Sequence, residues 1–459
     1  MSSDRPPQTM STPTPTVGRV SPQGVTRQDT AAEVAADVGL REANPTYGAG
    51  WIETTIGEQV TLQRGFDITK ATQQDGSIPV ISSGGTNSYH CVSQARGPGV
   101  VLGRKGVVGS VYFVRGDYWP HDTTLWVKDF HGNDPLFTYY FFRSRASDLA
   151  ALDVGSANPT LNRNHVHPIK TLWPPMKEQQ GIAALLCLLD DRIALLRETN
   201  ATLEAIAQAL FKSWFVDFDP VRARQQGLAP EGMDEATAML FPDEFEESEL
   251  GLVPRGWRLI PLSKAFEINP SRKLKRGETA PYLDMASVST QGHIVGAPIE
   301  REFGSGTKFV NGDTLLARIT PCLENGKTAY VDCLPDGQTG WGSTEFVILR
   351  PQPPLPSYYA YLLCRHGAFR NFAIQSMSGT SGRQRIQNDV LGRYPIAVPP
   401  PALADAFGQV VSGLQSTIAA NHATAQTLAT LRDTLLPRLI SGQLSLADFE
   451  QETEASHAD

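Results

Sequence analysis

From residue 182 an apolar side chain returns at every seventh position, at Ile182, Leu189, Leu196, Leu203 and Leu210. The stripe reappears at Phe407, Leu414, Asn421, Leu428 and Leu435, with an amide in third place. Matched positions lie 225 residues apart, and the secondary pairs Leu186 and Val411, Ile193 and Ile418, and Ile206 and Leu431 keep that offset. A seven-residue period over about five heptads predicts two long helices that bury a narrow seam in each other. Roughly 38 residues of such a helix span roughly 60 Å. The stripe alone leaves parallel and antiparallel pairing open, and a repeat that meets its own duplicate favours antiparallel. Asn421 reads either as a tolerated polar position near a helix crossing or as a group that sets register.

The segments before the helices repeat as well. Each opens on Gly-Trp with an aliphatic residue further on, Gly50-Trp51 with Ile56 and Gly256-Trp257 with Leu262. Each closes on a run of prolines leading into the helical pattern, TLWPPMKEQQ at 171–180 and IAVPPPALAD at 396–405. Between these marks short strands dominate. VVLGRKGVVGSVYFV (100–114) and TLLARITPCLENGKTAYV (314–331) share an aliphatic strand, an Arg, a Gly-bearing turn and a second strand. The pattern predicts a mixed α/β (α+β) fold, with a globular-plus-helix unit present twice.

Composition bounds this picture. With 459 residues, 41% hydrophobic and 19% charged, two to four domains are expected, and a wholly disordered chain is excluded. No run of about 18 apolar residues occurs that could cross a bilayer. The opening MSSDRPPQTMSTPTPT lacks the basic and apolar regions of a secretion signal, which predicts a cytoplasmic location. Cys91, Cys187, Cys322, Cys333 and Cys364 are scattered and form no CxxC, the pattern of buried free thiols. The net charge of −8 argues at first against a polyanionic partner, but it is unevenly spread. Residues 51–173 and 255–398 carry +1 and +6, whereas 174–254 and 399–459 carry −9 and −5. The basic charge therefore gathers in the two globular segments, where nucleic-acid binding stays open.

No constellation of residues suggests a catalyst. Gly326-Lys327-Thr328 invites a phosphate-loop reading, but position 321 is Pro where that loop needs Gly, so a basic hairpin turn describes it better. ANPT at 43–46 and at 157–160 lacks the second Pro of an amino-methyltransferase motif. His165 and His167 have no third ligand at metal spacing. The carboxylates of 231–249 read as a solvated acidic linker.

The order of these parts, with LFKSWFVDF at 210–218 and LRDTLLPRLISGQL at 431–444, resembles the DNA specificity (S) subunit of type I restriction-modification systems. The resemblance covers about 50–445. It implies two target-recognition domains, each reading half of a bipartite asymmetric site in double-stranded DNA and separated by two long antiparallel coiled-coil helices. It also implies two methyltransferase (M) subunits and nuclease/translocase (R) subunits as partners. The chain would have no active site of its own, and S-adenosylmethionine, ATP and Mg would sit on the partner subunits. The boundaries are then a tail (1–48), a first recognition domain (49–173), a central helix (174–218), an acidic linker (219–254), a second recognition domain (255–398), a C-terminal helix (399–445) and a short tail (446–459). The first tail is rich in Pro, Ser and Thr and reads as disordered or as a partner contact.

Basic and amide side chains in Gly/Ser-rich loops are the candidate DNA contacts. For the first half-site these are Ser83, Asn87, Tyr89, Arg104 and Lys105, and for the second Arg272, Lys273, Arg318, Lys327, Arg383, Gln384 and Arg385. A stand-alone duplicated DNA-binding regulator and a coiled-coil scaffold are the alternative readings. The first would bind its site tightly without other subunits, and the second would support no specific methylation.

Overall fold

The computed structural model describes residues 50–152, 160–248, 251–380 and 382–446, so the expected N-terminal tail and nearly all of the C-terminal one lie outside the described residues. The chain divides into two compact units, one of Met1–Leu186 with Leu435–Asp459 and the other of Cys187–Thr434.

The first unit contains β1 (Ile52–Thr55), β2 (Thr61–Arg64), β3 (Ile78–Ser82), β4 (Gly85–His90), β5 (Gly99–Gly103), β6 (Val111–Val114), β7 (Trp119–Pro120), β8 (Thr124–Asp129) and β9 (Lys170–Trp173). They form a pair β1-β9, a four-stranded sheet β2-β8-β5-β6 and a three-stranded sheet β4-β3-β7. Every residue of β5 is buried, as its place inside a sheet and its sequence GVVLG require. The helix Pro135–Ser144 starts on the Asp134 side chain, which accepts from the Phe137 N–H, and buries Phe137, Tyr140, Phe141 and Phe142.

The second unit contains β10 (Phe245–Ser248), β11 (Gly251–Pro254), β12 (Arg258–Pro261), β13 (Phe266–Ile268), β14 (Thr279–Leu283), β15 (Ile299–Glu302), β16 (Thr307–Phe309), β17 (Thr314–Ala317), β18 (Thr328–Tyr330), β19 (Gly340–Gly342), β20 (Phe346–Pro351) and β21 (Pro395–Val398). Its pair β12-β21 and its sheets β13-β20-β17-β18 and β15-β14-β19-β16 repeat the first topology with β16 added. The repetition extends to register. Ile52 faces Trp173 in the first unit and Arg258 faces Val398 in the second, pairs related by offsets of 206 and 225. The sheets β4-β3-β7 and β15-β14-β19-β16 each hold one parallel pairing, β3 with β7 and β14 with β19. The additional residues of the second domain therefore lie inside it, between strands that keep their partners.

The two stripes become the helices Met176–Lys212 and Pro401–Ile440. Within the second unit they run antiparallel. Asp190 pairs with Arg432 at 2.5 Å, and Asn200 accepts from the Asn421 amide at 2.9 Å, so the partner number falls as the first helix advances. Ile193, Leu196 and Ala425 form the apolar core of this stretch, with Leu428 packed against it. Leu189, Phe407 and Leu435 are buried, and Leu203, Leu210 and Leu414 are half-buried. In the first unit Ile182 and Leu186 are buried, as are Leu436, Leu439 and Ile440. Of the secondary pairs, Leu186, Ile193, Val411 and Ile418 are buried, but Ile206 and Leu431 are 43% and 40% exposed. Ile206 and Leu431 therefore lie off the seam, whose width a seven-residue stripe confines to few positions per turn.

LFKSWFVDF closes the first long helix as a single π-turn, Ser213–Asp217. Phe211, Trp214 and Phe215 enter the core of the second unit, where Phe215 packs edge-on to Phe407 and to Tyr359. Beyond it, the acidic linker expected over 219–254 is folded. It forms the helix Asp219–Gln225, the short helix Glu235–Ala238 and the β10-β11 hairpin, Phe241 is buried against Trp214, and the Arg224 guanidinium donates to the carbonyls of Ala238, Met239 and Phe241. Its carboxylates among the described residues are on the outside, as charge patterning required, but Phe241, Phe245 and Met233 supply apolar contacts that an overall acidic composition hides. The cysteines are free, and only Cys364 is buried, while Cys91 is exposed on the edge hairpin.

Asn421 is tied into the seam. It donates to Asn200, which in turn donates to the Ile418 carbonyl at 3.0 Å. Asn200→Ala should therefore lower the thermal midpoint, at a cost of about 1 kcal/mol, by leaving the Asn421 amide unpaired. The double variant Asn200→Leu/Asn421→Leu should recover most of that loss. Calorimetry of the full chain checks both, and a single variant as stable as the parent would remove the pair from the forces that set register.

Candidate nucleic-acid interface

Arg104 and Arg318 occupy equivalent places. Each comes directly after a buried central strand, β5 or β17, whose last residue turns the chain out of the sheet. The Arg104 N–H donates to the carbonyl of Thr123 at 2.8 Å, and the Arg318 N–H to that of Glu345 at 2.9 Å, each acceptor standing just before β8 or β20. The carbonyls of the two arginines accept from Leu161 and Ile386, at 2.9 and 3.0 Å, and these two buried residues are related by the helix offset of 225. One further bridge repeats too, Lys105 with Thr160 and Ile319 with Arg385. Two arginines thus leave one backbone frame, built twice.

In the first domain Arg104 borders an open cleft of about 810 Å³, shared with Gln63, Arg64, Phe66, Asn162 and Arg163. Asp122 balances part of the charge, through a 3.1 Å ion pair with Arg64 and a carbonyl that accepts from Arg104 at 3.5 Å. Burial, and then the neighbouring Arg64 charge, pull the Arg104 pKa down, against the attraction of Asp122. Three guanidinium groups and three amides, Gln63, Asn162 and Asn164, outweigh the one lining carboxylate, Asp67, and make the cleft a polyanion surface with hydrogen-bonding capacity left over.

In the second domain the Arg318 Nη2 donates to the Gln387 Oε1 at 3.2 Å, and its Nε is buried without a hydrogen-bond partner among the described residues. Beside it Arg385 grips Glu345 through bonds of 2.6 to 3.0 Å. The bond from Arg385 holds the Glu345 carboxyl below the usual range, with burial opposing it and the Arg385 and Arg318 charges assisting.

The other sequence candidates divide by environment. Ser83 is buried at the β3-β4 turn, its N–H on the Thr123 hydroxyl and its carbonyl taken by Ser110 and Tyr112. Its backbone therefore supports the Arg104 frame. Asn87 and Tyr89 project from β4, Tyr89 at 58% exposure, and Lys105, Lys273 and Arg383 are exposed. Gln384 is half-buried, its backbone exchanging bonds with Thr320. Arg272 and Lys327 are engaged by partners within the domain. The Arg272 side chain is 16% exposed and turned onto the fully buried Asp313, at 3.1 Å. The Lys327 ammonium donates to the Met285 carbonyl at 2.5 Å. His165 is exposed, whereas the His167 Nε2 accepts from the Leu62 N–H at 3.0 Å, so the two rings do different things.

Arg64, Asn162, Arg163, Glu345 and Gln387 belong to these surfaces although sequence reasoning does not single them out. A signal exists for two of them. Asn162 and Gln387 come directly after the apolar pair Leu161 and Ile386, all four at the 225-residue offset that aligns the helices.

Residues 49–205 match the family described as Type I restriction modification DNA specificity domain. The chain is similar to the type I restriction enzyme HindI specificity subunit of Haemophilus influenzae, 25% identical over 338 residues that cover 62% of this chain and 71% of the relative. It is also similar to the MjaIX specificity subunit of Methanocaldococcus jannaschii, 25% identical over 329 residues, 68% of this chain and 70% of that one. The crystal structure of the S subunit of a type I restriction-modification system from M. genitalium shares the fold, with a TM-score of 0.57 at 15% identity, over 87% of this chain and 98% of the other.

The inward turn of Arg272 has a measurable consequence. Asp313 is held by Arg272, by the Arg350 Nε at 2.5 Å and by the Val310 N–H at 2.9 Å. Removing one cation from a buried carboxylate that keeps another should cost roughly 1–3 kcal/mol. Arg272→Ala should therefore lower the thermal midpoint of the full chain clearly more than Lys273→Ala, which removes an exposed charge. Equal midpoints for the two variants would show that Arg350 balances Asp313 alone.

Proposed function

Since the chain belongs to the DNA specificity subunits of type I restriction-modification systems, we propose that its two globular domains each read one half of a bipartite, asymmetric target in double-stranded DNA. The observation that carries this reading is the duplicated frame. One topology, one register and one outward arginine occur twice, with different side chains around each arginine. Two copies of one scaffold with unlike reading surfaces suit a target whose halves differ.

The chain supplies recognition and no chemical step of its own. The long helices and the aromatic end of the first one serve assembly with two methyltransferase subunits, which hold S-adenosylmethionine, and nuclease/translocase subunits that use ATP and Mg complete the system in the cytoplasm. Exposed cations such as Lys105, Lys273 and Arg383 neutralise phosphates and fix the position of each domain on the duplex without reading sequence.

Mapping methylated adenines in DNA exposed to the chain together with its methyltransferase partner tests the reading. A single motif of two unlike halves around a fixed gap is the expected result. Tight binding to a specific site by the isolated chain, with no methylation in the complex, would favour a stand-alone regulator, and absence of any motif would favour a scaffold. The gap itself should respond to helix length. Inserting four residues in register in both long helices adds roughly 6 Å and should lengthen the methylated gap by about 2 bp at 3.4 Å per step. An unaltered gap would refute the helices as a ruler.

A further inference from the structure

We propose that Arg104 and Arg318 are equivalent base-reading residues, each presenting its guanidinium edge to a guanine in its own half-site, and that Gln387 is a positioning residue for Arg318. The proposal rests on the specificity reading above and names which residues carry it.

Reading a base requires a donor whose position is fixed and whose remaining N–H groups are unspent, whereas neutralising a phosphate requires only nearby charge. The frame separates the two kinds of cation. Lys105, Lys273 and Arg383 are exposed. Arg104 and Arg318 instead leave a backbone pinned on both sides by ladder-like bonds to Thr123 and Leu161 or to Glu345 and Ile386, and both are half-buried. The Arg318 fork spends one Nη on Gln387, and Arg104 makes one long bond to the Asp122 carbonyl. Each retains N–H groups for a ligand. Guanine is the base that offers two acceptors, O6 and N7, at the spacing of a guanidinium edge. Gln387 accepts from one end of the Arg318 fork and so fixes its plane, while in the first domain its counterpart Asn162 borders the same cleft as Arg104.

The neighbours of the two arginines differ. Arg104 has Arg64 and Arg163 beside it, and Arg318 has Arg385 neutralised by Glu345.

The test is methylation by the complete methyltransferase complex on a plasmid library in which each position of the mapped target is randomised. Arg318→Ala should relax one G·C pair in one half-site, with discrimination there falling roughly ten- to a hundredfold, and leave the other half intact. Arg104→Ala should do the same in the opposite half. Arg318→Lys keeps the charge and loses the fork, so it should relax the same pair with little change in overall affinity, which covers the case in which the Ala variant folds poorly. Gln387→Ala should relax that same pair, and Gln387→Glu, which keeps an acceptor, should restore it. Lys105→Ala should weaken methylation evenly across the library. Uniform weakening by Arg104→Ala or Arg318→Ala would overturn the proposal in favour of phosphate contacts. Relaxation at an A·T pair would overturn the guanine assignment. A parent complex that yields no bipartite motif would instead overturn the specificity reading itself.

Discussion

The antiparallel ladder between the first and last strands of each domain is the constraint on which the remaining structure depends. Because β1 lies against β9 and β12 against β21, each domain returns its chain to the place where it entered, and a long helix begins within a few residues of the closing strand. Between these paired strands the chain can lengthen without disturbing the helix beyond them. The second domain shows this, since an additional strand and a larger offset leave the closing register unchanged. Specific polar contacts then fix the helix to its domain. Gln179, buried in the first turn, accepts from the Asp134 N–H at 2.9 Å and donates to Asn133 and to the Pro174 carbonyl. In the second unit Glu204 leaves the helix to accept from the His293 N–H, the Tyr361 hydroxyl and Gln208, with Arg365 3.8 Å away. A buried carboxylate costs several kcal/mol of desolvation unless it is satisfied in this way. Such a contact specifies one orientation of domain on helix where an apolar contact would allow several.

The helix pair obeys the same logic. Ile193, Leu196 and Ala425 supply the burial, but apolar stripes of one period can slide by a heptad at little cost. Asp190 with Arg432 and Asn200 with Asn421 can be satisfied in one register alone. The net charge of −8 takes on a spatial meaning here. The acidic surplus lies on the segment after the first long helix, where 213–254 carry −8, and on 441–459 at −5, while the two long helices are close to neutral and the basic surplus lies on the two domains. A negative average therefore coexists with two surfaces suited to a polyanion.

Sequence makes legible whatever local spacing determines. A heptad stripe is a local property, so the long helices are legible, and the repeat is legible because duplicated sequence keeps an offset. The strand, arginine and turn of each domain are legible as hairpins for the same reason. Partners distant in sequence are not. Arg272 and Arg383 look alike as basic residues in polar loops, and only the fold brings Asp313 against the first of them. Lys327 reads as a free cation because nothing nearby in sequence announces the Met285 carbonyl. The segment 219–254 reads as a linker because nine of its eleven charged residues are acidic, yet Phe241 is buried in the core that the end of the helix enters and Phe245 packs against it.

The two domains also explain how one scaffold can carry two specificities. The residues that hold the frame use main-chain groups: an N–H to the carbonyl of Thr123 or Glu345, and a carbonyl to the N–H of Leu161 or Ile386. Main-chain bonds tolerate almost any side chain, so the frame positions outside the core are free to vary, while Leu161 and Ile386 stay aliphatic because they are buried. The outer positions do vary here, with Thr123 opposite Glu345, Lys105 opposite Ile319 and Thr160 opposite Arg385. Side chains at the same positions therefore decide charge and hydrogen bonding at each arginine, while the arginine's own place is set by backbone geometry. Recognition can change by substitution at such sites without a change of fold, because the fold asks of them only an N–H and a C=O.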